Sequence, residues 1–275
     1  MDDFLKEHFQ RVRQVLSPPE PEPVRQVAEA LCFPAFHPET LLRVVDRTEG
    51  STILFRTTDS GLWGSEESTE PTEIEERTFV PFERAKQFWD AMSELNPVSI
   101  RPMESCGCDG MSINAMFQAG DQKSEFETWS PELDTPEGRF VELIYDLAWD
   151  VLQTPEAVLG LEHLHCYLKK GPGVTVTTGS VNRLRIFGSL SFGDEGALLA
   201  YFSEFDLNEP LLVDMTNFDG MGTCLYPEFI KFANSHQNIA WAVSPNARHH
   251  VEAMRFPKET CFDTTDDAIQ WLNRP

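Results

Sequence analysis

Two clusters carry side chains suited to chemistry. Cys106-Gly107-Cys108, followed by Asp109, puts two thiols close together, and His163, His165 and Cys166 add two imidazoles and a third thiol. Thiolates and imidazoles are the ligands of tetrahedral zinc, and a thiol beside an imidazole base is also a nucleophile. The spacing departs from the usual zinc pattern, which has two Cys-x2–4-Cys pairs or a Cys pair with a His pair. His163, His165 and Tyr167 alternate with Leu164, Cys166 and Leu168, and this period of two predicts a strand. On a strand the histidines share a face and Cys166 points away, which splits the ligand set; on a helix, residues two apart would diverge. The competing reading is a glycine-containing loop with two cysteines and an exposed histidine pair. His249-His250 falls near the start or middle of a predicted helix, where a surface role is expected over proton transfer. The sequence has no Gly-x-Ser-x-Gly elbow and no Walker-type glycine loop. Carboxylates are too numerous for paired Asp/Glu arguments to discriminate.

The chain has 275 residues, enough for one large or two ordinary domains. Hydrophobic residues make up 41%, so a core can be buried and disorder throughout is excluded. Lys and Arg number 22 against 45 Asp and Glu, a formal net charge of −23. Such a surface repels a phosphate backbone, so no nucleic acid is expected, while a basic protein partner is admitted. Residues 181–275 hold 7 basic and 13 acidic side chains and the remainder 15 and 32, so acidity concentrates in the first part. Glu66, Glu67, Glu70, Glu73, Glu75 and Glu76 crowd one segment, which reads as a solvated loop or as a docking surface for a basic partner. No stretch approaches the ~18 apolar residues of a membrane helix, so no membrane insertion is expected. The opening MDDFLKEHFQ lacks the order of a signal peptide, and a cytoplasmic protein is the expectation. Cysteines at 32, 106, 108, 166, 224 and 261 are not expected to form a disulfide framework in a long chain without a secretion signal. Cys32, Cys224 and Cys261 read as small buried hydrophobes.

The elements that must position these groups follow from periodicity. Residues 2–16 have the apolar stripe of an amphipathic helix, stopped by SPPEPEP at 17–23, an extended, exposed linker. Val24, Val27, Ala28 and Leu31 suggest a short second helix. Ser51–Thr57 reads as a strand, and Phe82, Ala85, Trp89 and Met92 mark a helix. Ser112–Phe117 and Glu125–Trp129 read as a hairpin closed around Ala119-Gly120-Asp121. Asp134-Thr135-Pro136-Glu137 starts a helix with an apolar face through Leu152. The turn KKGPG at 169–173 divides a first domain, residues 1–170, from a second, residues 171–275.

From Leu184 onward strands alternate with helices. LRIFGSL (184–190), LLVDM (211–215) and NIAWAVS (238–244) are strands, with a short one at 260–262. Helices are predicted over 194–206, 223–234, 245–254 and 264–272, with a tight turn at 217–222. Such alternation implies a parallel or mixed sheet covered by helices. GSLSFGDEG (188–196), LLVDMTNFDGMG (211–222), AVSPNARHHVEAMRF (242–256) and DTTDDAIQWL (263–272) follow one another as in a STAS domain, the sulfate-transporter and anti-sigma-factor-antagonist fold, and the last ninety or so residues resemble that family. The resemblance implies a module that docks other proteins, with Asp219 in the turn and Thr223 at the helix start as candidate binding residues. In signalling members a phosphorylatable Ser or Thr follows the turn Asp, whereas Gly220 and Met221 follow Asp219 here, which argues against a phosphorylation switch. Thr223 reads as a capping residue. The order hairpin, Trp129-Ser130-Pro131, helix also faintly resembles bacterial toxin-immunity proteins.

The expected fold is therefore α+β: a mixed antiparallel domain, then a STAS-like α/β domain. The expected function is non-enzymatic protein–protein recognition in a bacterial cytoplasm, with no cofactor. The alternatives are an immunity-like inhibitor of a basic toxin, and a metal- or thiol-dependent enzyme using Cys106 and Cys108 with His163 and His165.

Overall fold

The computed structural model describes residues 3–20, 23–62, 71–101, 107 and 109–274. The chain is an α+β protein whose contacts divide it into two compact units, Met1–Lys169 and Lys170–Pro275. Among the described residues, no helix is long and apolar enough to cross a membrane.

Unit 1 runs α1 (Asp3–Leu16), β1 (Gln26–Pro34), β2 (Thr40–Arg47), β3 (Gly50–Thr58), β4 (Glu73–Phe79), α2 (Phe82–Leu95), β5 (Met111–Ala119), β6 (Gln122–Trp129), α3 (Pro136–Val151) and α4 (Pro155–Tyr167). The strands form one antiparallel sheet in the order β4-β3-β2-β1-β5-β6. Helices α2, α3 and α4 cover one face, where Phe88, Met92, Phe140, Ile144 and Leu161 meet Ala30, Leu42, Phe55 and Ile113. Helix α1 packs Val12 and Leu16 on the other, against Leu31, Leu41 and Leu54.

That double cover explains a correction. Of residues 24–31, predicted helical, 26–31 belong to strand β1, which sits centrally between β2 and β5. With both faces covered, the strand shows an apolar run broken only by Glu29 rather than alternation, and periodicity cannot separate it from a helix. Of the linker expected at 17–23, residues 21 and 22 lie outside the described residues and 17–20 are held: Ser17 donates to Glu29, and Arg43 reaches the Pro18 carbonyl and Glu20.

Residues 163–168, predicted as a strand, lie at the end of α4. Thr154 caps this helix by accepting from the Ala157 amide, and Pro155 occupies the first turn. Buried Leu161, Leu164 and Leu168 set a three-to-four spacing, and the histidines occupy the positions between them. Gly160 lets α4 approach the sheet, since a Cβ there would sit 2.5 Å from the Phe55 ring.

Unit 2 runs β7 (Val174–Thr177), β8 (Asn182–Ile186), β9 (Gly188–Leu190), α5 (Glu195–Phe202), β10 (Leu211–Met215), β11 (Phe218–Met221), α6 (Tyr226–Ser235), β12 (Ile239–Val243), α7 (Arg248–Ala253), β13 (Cys261–Phe262) and α8 (Thr265–Leu272). The main sheet has the order β13-β12-β10-β8-β7, parallel except for the β7–β8 pair. Strands β10 and β12 are buried along their whole length, as expected for parallel strands covered on both faces. Leu184, Val213 and Trp241 pack with Phe229 and Met254 on one face, and Leu212, Ala240 and Ala242 with Ala268 and Leu272 on the other.

Local corrections follow here too. The single strand expected at 184–190 is broken at Phe187, and its second half, β9, pairs with β11 in a separate two-stranded sheet. The turn expected at 217–222 is therefore mostly strand. The helix expected from Thr223 begins as a 3-10 turn, Thr223–Leu225, and becomes α-helical at Tyr226. The helix expected over 194–206 ends at Phe202.

Candidate functional site

The thiol–imidazole cluster is only partly on view. Cys106 and Cys108 lie outside the described residues; Gly107 between them rests on Trp129, where a Cβ would come within 2.8 Å of the indole nitrogen. Residues two apart on a helix diverge by about 200°, and the histidines do so. His163 stacks on His37 at 4.1 Å between centroids, and His37 Nδ1 lies 2.9 Å from the Tyr167 hydroxyl. His165 instead faces α3, with Nδ1 3.2 Å from the Tyr145 hydroxyl. The shared face expected for His163 and His165 is thus corrected. Among the described residues no group of three or more His, Cys, Asp or Glu side chains is arranged to hold a metal ion.

Near His37 is a cavity of about 500 Å³, which His8, Glu39 and Trp129 also line. His8 Nε2 is 3.0 Å from Glu39, whose other oxygen accepts from the Leu62 amide at 2.8 Å. Burial pushes the Glu39 carboxyl up, but the bonds from His8 and Leu62 outweigh it and hold the group below the usual carboxylate range.

Of the six clustered glutamates, Glu66, Glu67 and Glu70 lie outside the described residues. The other three correct the loop expectation, because they sit on β4 and are engaged. Glu73 and Glu75 pair with Arg56 at 2.9 and 2.7 Å. Glu76 accepts from the Gln153 and Thr154 amides, each at 3.1 Å, and from the Thr154 hydroxyl at 2.6 Å. A carboxylate placed there complements the N-terminus of α4.

In unit 2 Asp219 is exposed on β11, and Thr223 opens the 3-10 turn without capping it, the N-cap being Gly222. The nearby imidazole is His250, which is buried and so corrects the surface expectation. The Met221 amide donates to its Nε2 at 3.3 Å, which leaves Nδ1 to carry the proton toward the Tyr226 hydroxyl, 2.7 Å away. Burial and then His249 hold its pKa down, so the neutral ring is favoured. Cys224, expected inside, is exposed, and Cys261 is half-buried. Cys32 is buried as expected, and burial pushes its thiol up to about 12. Sequence reasoning missed Asp214, fully buried on β10. Its Oδ2 pairs with Arg183 and, at 2.5 Å, Arg185; its Oδ1 accepts from Thr216.

Sequence reasoning also missed an exposed apolar pair in unit 1. Phe79, the last residue of β4, and Phe82, the first of α2, are 70% and 77% exposed. They border a groove of about 590 Å³ that Trp89 also lines, with Arg47, Glu49, Lys86 and Asp90 among its charged neighbours. The connection is short and stiff: Pro81 is the N-cap of α2, and the Val80 amide donates to Ser51 at 2.9 Å. The Trp89 indole donates to Ser51 Oγ at 3.0 Å, which fixes its ring. A signal was present in the sequence. Phe79 falls in the same strand phase as Glu73, Glu75 and Arg77, the outward one.

No protein-family model matches the chain, and none of the curated proteins matches it. Among solved structures it is similar to an uncharacterised protein of the DUF3478 family with a SpoIIAA-like fold from Shewanella loihica PV-4. That match has 17% identity, covers 37% of this chain and 94% of the other, and has a TM-score of 0.29. The chain is also similar to a crystal structure of Mglu, with 15% identity over 60% of this chain and 38% of the other, at a TM-score of 0.23.

Proposed function

We propose that the chain is a non-enzymatic protein-recognition module and that unit 1 docks its partner through the groove beside Phe79 and Phe82. The exposure of these two rings on a stiff strand–helix junction carries the reading. Burying a Phe side chain is worth about 1.5–3 kcal/mol, and aromatic anchors in a preformed recess are the usual centres of binding energy. The acidity of the first part steers a basic partner toward this unit, while the mixed charges around the groove set its register. For unit 2 the reading is a STAS-like module without the phosphorylation switch. It is supported by the strand–helix alternation from β8 to α8 around a largely parallel sheet, and by Gly220 and Met221 after Asp219.

The test is capture from a lysate of the source cell by three baits: the intact chain, Phe79→Ser/Phe82→Ser, and Phe192→Ser, which alters an exposed ring of unit 2. A protein retained by the first and third baits and lost by the second is expected. With that protein purified, the double variant should bind at least about thirtyfold more weakly, the scale of a hot-spot loss. The same proteins on all three baits would overturn the reading.

A further inference from the structure

We propose that unit 2 binds a small amphipathic organic anion, a carboxylate or phosphate on a short apolar tail, in the cavity between α7 and the β12–β13 edge. The cavity measures about 590 Å³. Val243, Val251 and Phe256 give it an apolar wall, and Arg248, Arg255 and Lys258 bring three cations to it. This is a marked local reversal in a chain of net charge −23, whose residues 181–275 hold only 7 basic side chains.

Two of the three cations are not spent on internal pairs. Arg248 has Asp263 as its partner. Arg255 and Lys258 make no ion pair or side-chain hydrogen bond among the described residues. Glu252 also lines the cavity, so with Arg248 paired to Asp263 two further cations face one carboxylate there.

The backbone adds a second, independent observation. Helix α7 closes with a paired bond set, the Phe256 amide to the Val251 carbonyl at 3.3 Å and the Arg255 amide to the Glu252 carbonyl at 3.0 Å. In this closure the residue after the cap takes a left-handed conformation and is usually glycine. Here it is Arg255, at φ 59°. A long cationic side chain thus occupies a position where glycine would avoid the clash, and it lines the cavity. The closure also brings Val251 and Phe256 together as the apolar wall. The location is beside the carboxyl end of parallel strand β12.

The experiment titrates the full chain by calorimetry with octanoate, octyl phosphate and, as the uncharged control, octan-1-ol. At least one of the anions should bind and the alcohol should not, and which anion binds identifies the headgroup. Arg255→Gln/Lys258→Gln should weaken that binding at least about tenfold, the scale of one charge-assisted contact, while Lys231→Gln on α6 leaves it unchanged. Cys261 lines the same cavity and supplies a local readout. The bound anion should slow its alkylation and leave exposed Cys166 and Cys224 unaffected. No binding by either anion, equal binding by the alcohol, or equal binding by the double variant would overturn the proposal. None of these outcomes bears on the groove of unit 1.

Discussion

Each unit buries a charged hub in its sheet, and the two hubs are shielded in different ways. In unit 1 Glu29 on β1 stands opposite Arg43 on β2, and both are buried. The Arg43 guanidinium is saturated by Glu29 at 2.6 Å, the Pro18 carbonyl at 2.6 Å, Ser17 at 2.7 Å and Glu20 at 2.9 Å, so the segment after α1 is strapped over it. In unit 2 only the carboxylate is buried: Asp214 is 0% exposed, while the side chains of Arg183 and Arg185 are 39% and 20% exposed. The difference is what happens to the partner when one member is removed. The Arg43 side chain is only 5% exposed, whereas Arg183 and Arg185 already reach water. The first hub locks a chain segment in place; the second fixes the end of a strand.

The largest expected effect tests the first half of that contrast. Glu29→Ala removes the more deeply buried of the two carboxylates on Arg43 and leaves it Glu20 alone, and should cost about 3 kcal/mol by chemical denaturation, the low end of the loss for a broken buried pair. Glu29→Ala combined with Arg43→Met should recover much of the loss, because no charge remains unpaired. If Glu29→Ala alone cost less than about 1 kcal/mol, Arg43 would have found water and the contrast would fail.

Asp214→Ala should cost about 2 kcal/mol, less than the range for a fully buried pair, because its arginines resolvate. Its pH dependence sharpens the point. Burial raises the Asp214 pKa, but Arg185, Arg183 and Thr216 outweigh it, so the folded value lies below the unfolded one. The folded state thus binds fewer protons, and the contribution is complete above the unfolded value near ~3.9 and fades as pH falls through the lower folded value. Wild type should therefore lose stability more steeply than Asp214→Ala as the pH falls below about 4. Parallel curves would remove Asp214 from the acid response.

A smaller effect is expected where one unit ties a strand to a helix. Thr154→Ala removes the side-chain cap of α4 and one of the three bonds Glu76 accepts, and should cost about 1 kcal/mol by thermal unfolding. A loss below about 0.3 kcal/mol would mean that Glu76 and the backbone suffice to start the helix.

Legibility followed the packing. The hairpin β5–β6, helices α1, α2 and α3, and the alternation of unit 2 showed in the sequence because each has one covered face or a strong local start signal. Strand β1 did not, since cover on both faces erased its alternation. The end of α4 misled because His163, His165 and Tyr167 mimic a period of two, while the decisive Thr154-Pro155 start lies nine residues upstream. The candidate sites were less legible still. Glu73, Glu75 and Glu76 read as a loop because the charge run masked a strand whose outward phase is charged. The cavity of unit 2 brings Val243 of β12 to Lys258, fifteen residues on, and neither carries a motif. The pairing of Asp214 with Arg183 and Arg185 spans some thirty residues and depends on the parallel register, which single-sequence patterns do not contain.

The smallest expected effect on stability belongs to the surface with the largest expected effect on binding. Phe79 and Phe82 contribute little apolar burial to the folded state, so Phe79→Ser/Phe82→Ser should change the unfolding free energy by no more than about 0.5 kcal/mol. Trp89→Ala, at a ring that is half-buried and bonded to Ser51, should cost more, about 2 kcal/mol. A surface kept apolar without serving the fold is one available to a partner. If the double serine variant instead lost as much stability as Trp89→Ala, the two rings would be part of the core and the groove would have no free anchors. If stability held and partner capture vanished, the contrast within this one groove, between a ring that builds it and two rings that wait at its edge, would locate the docking site.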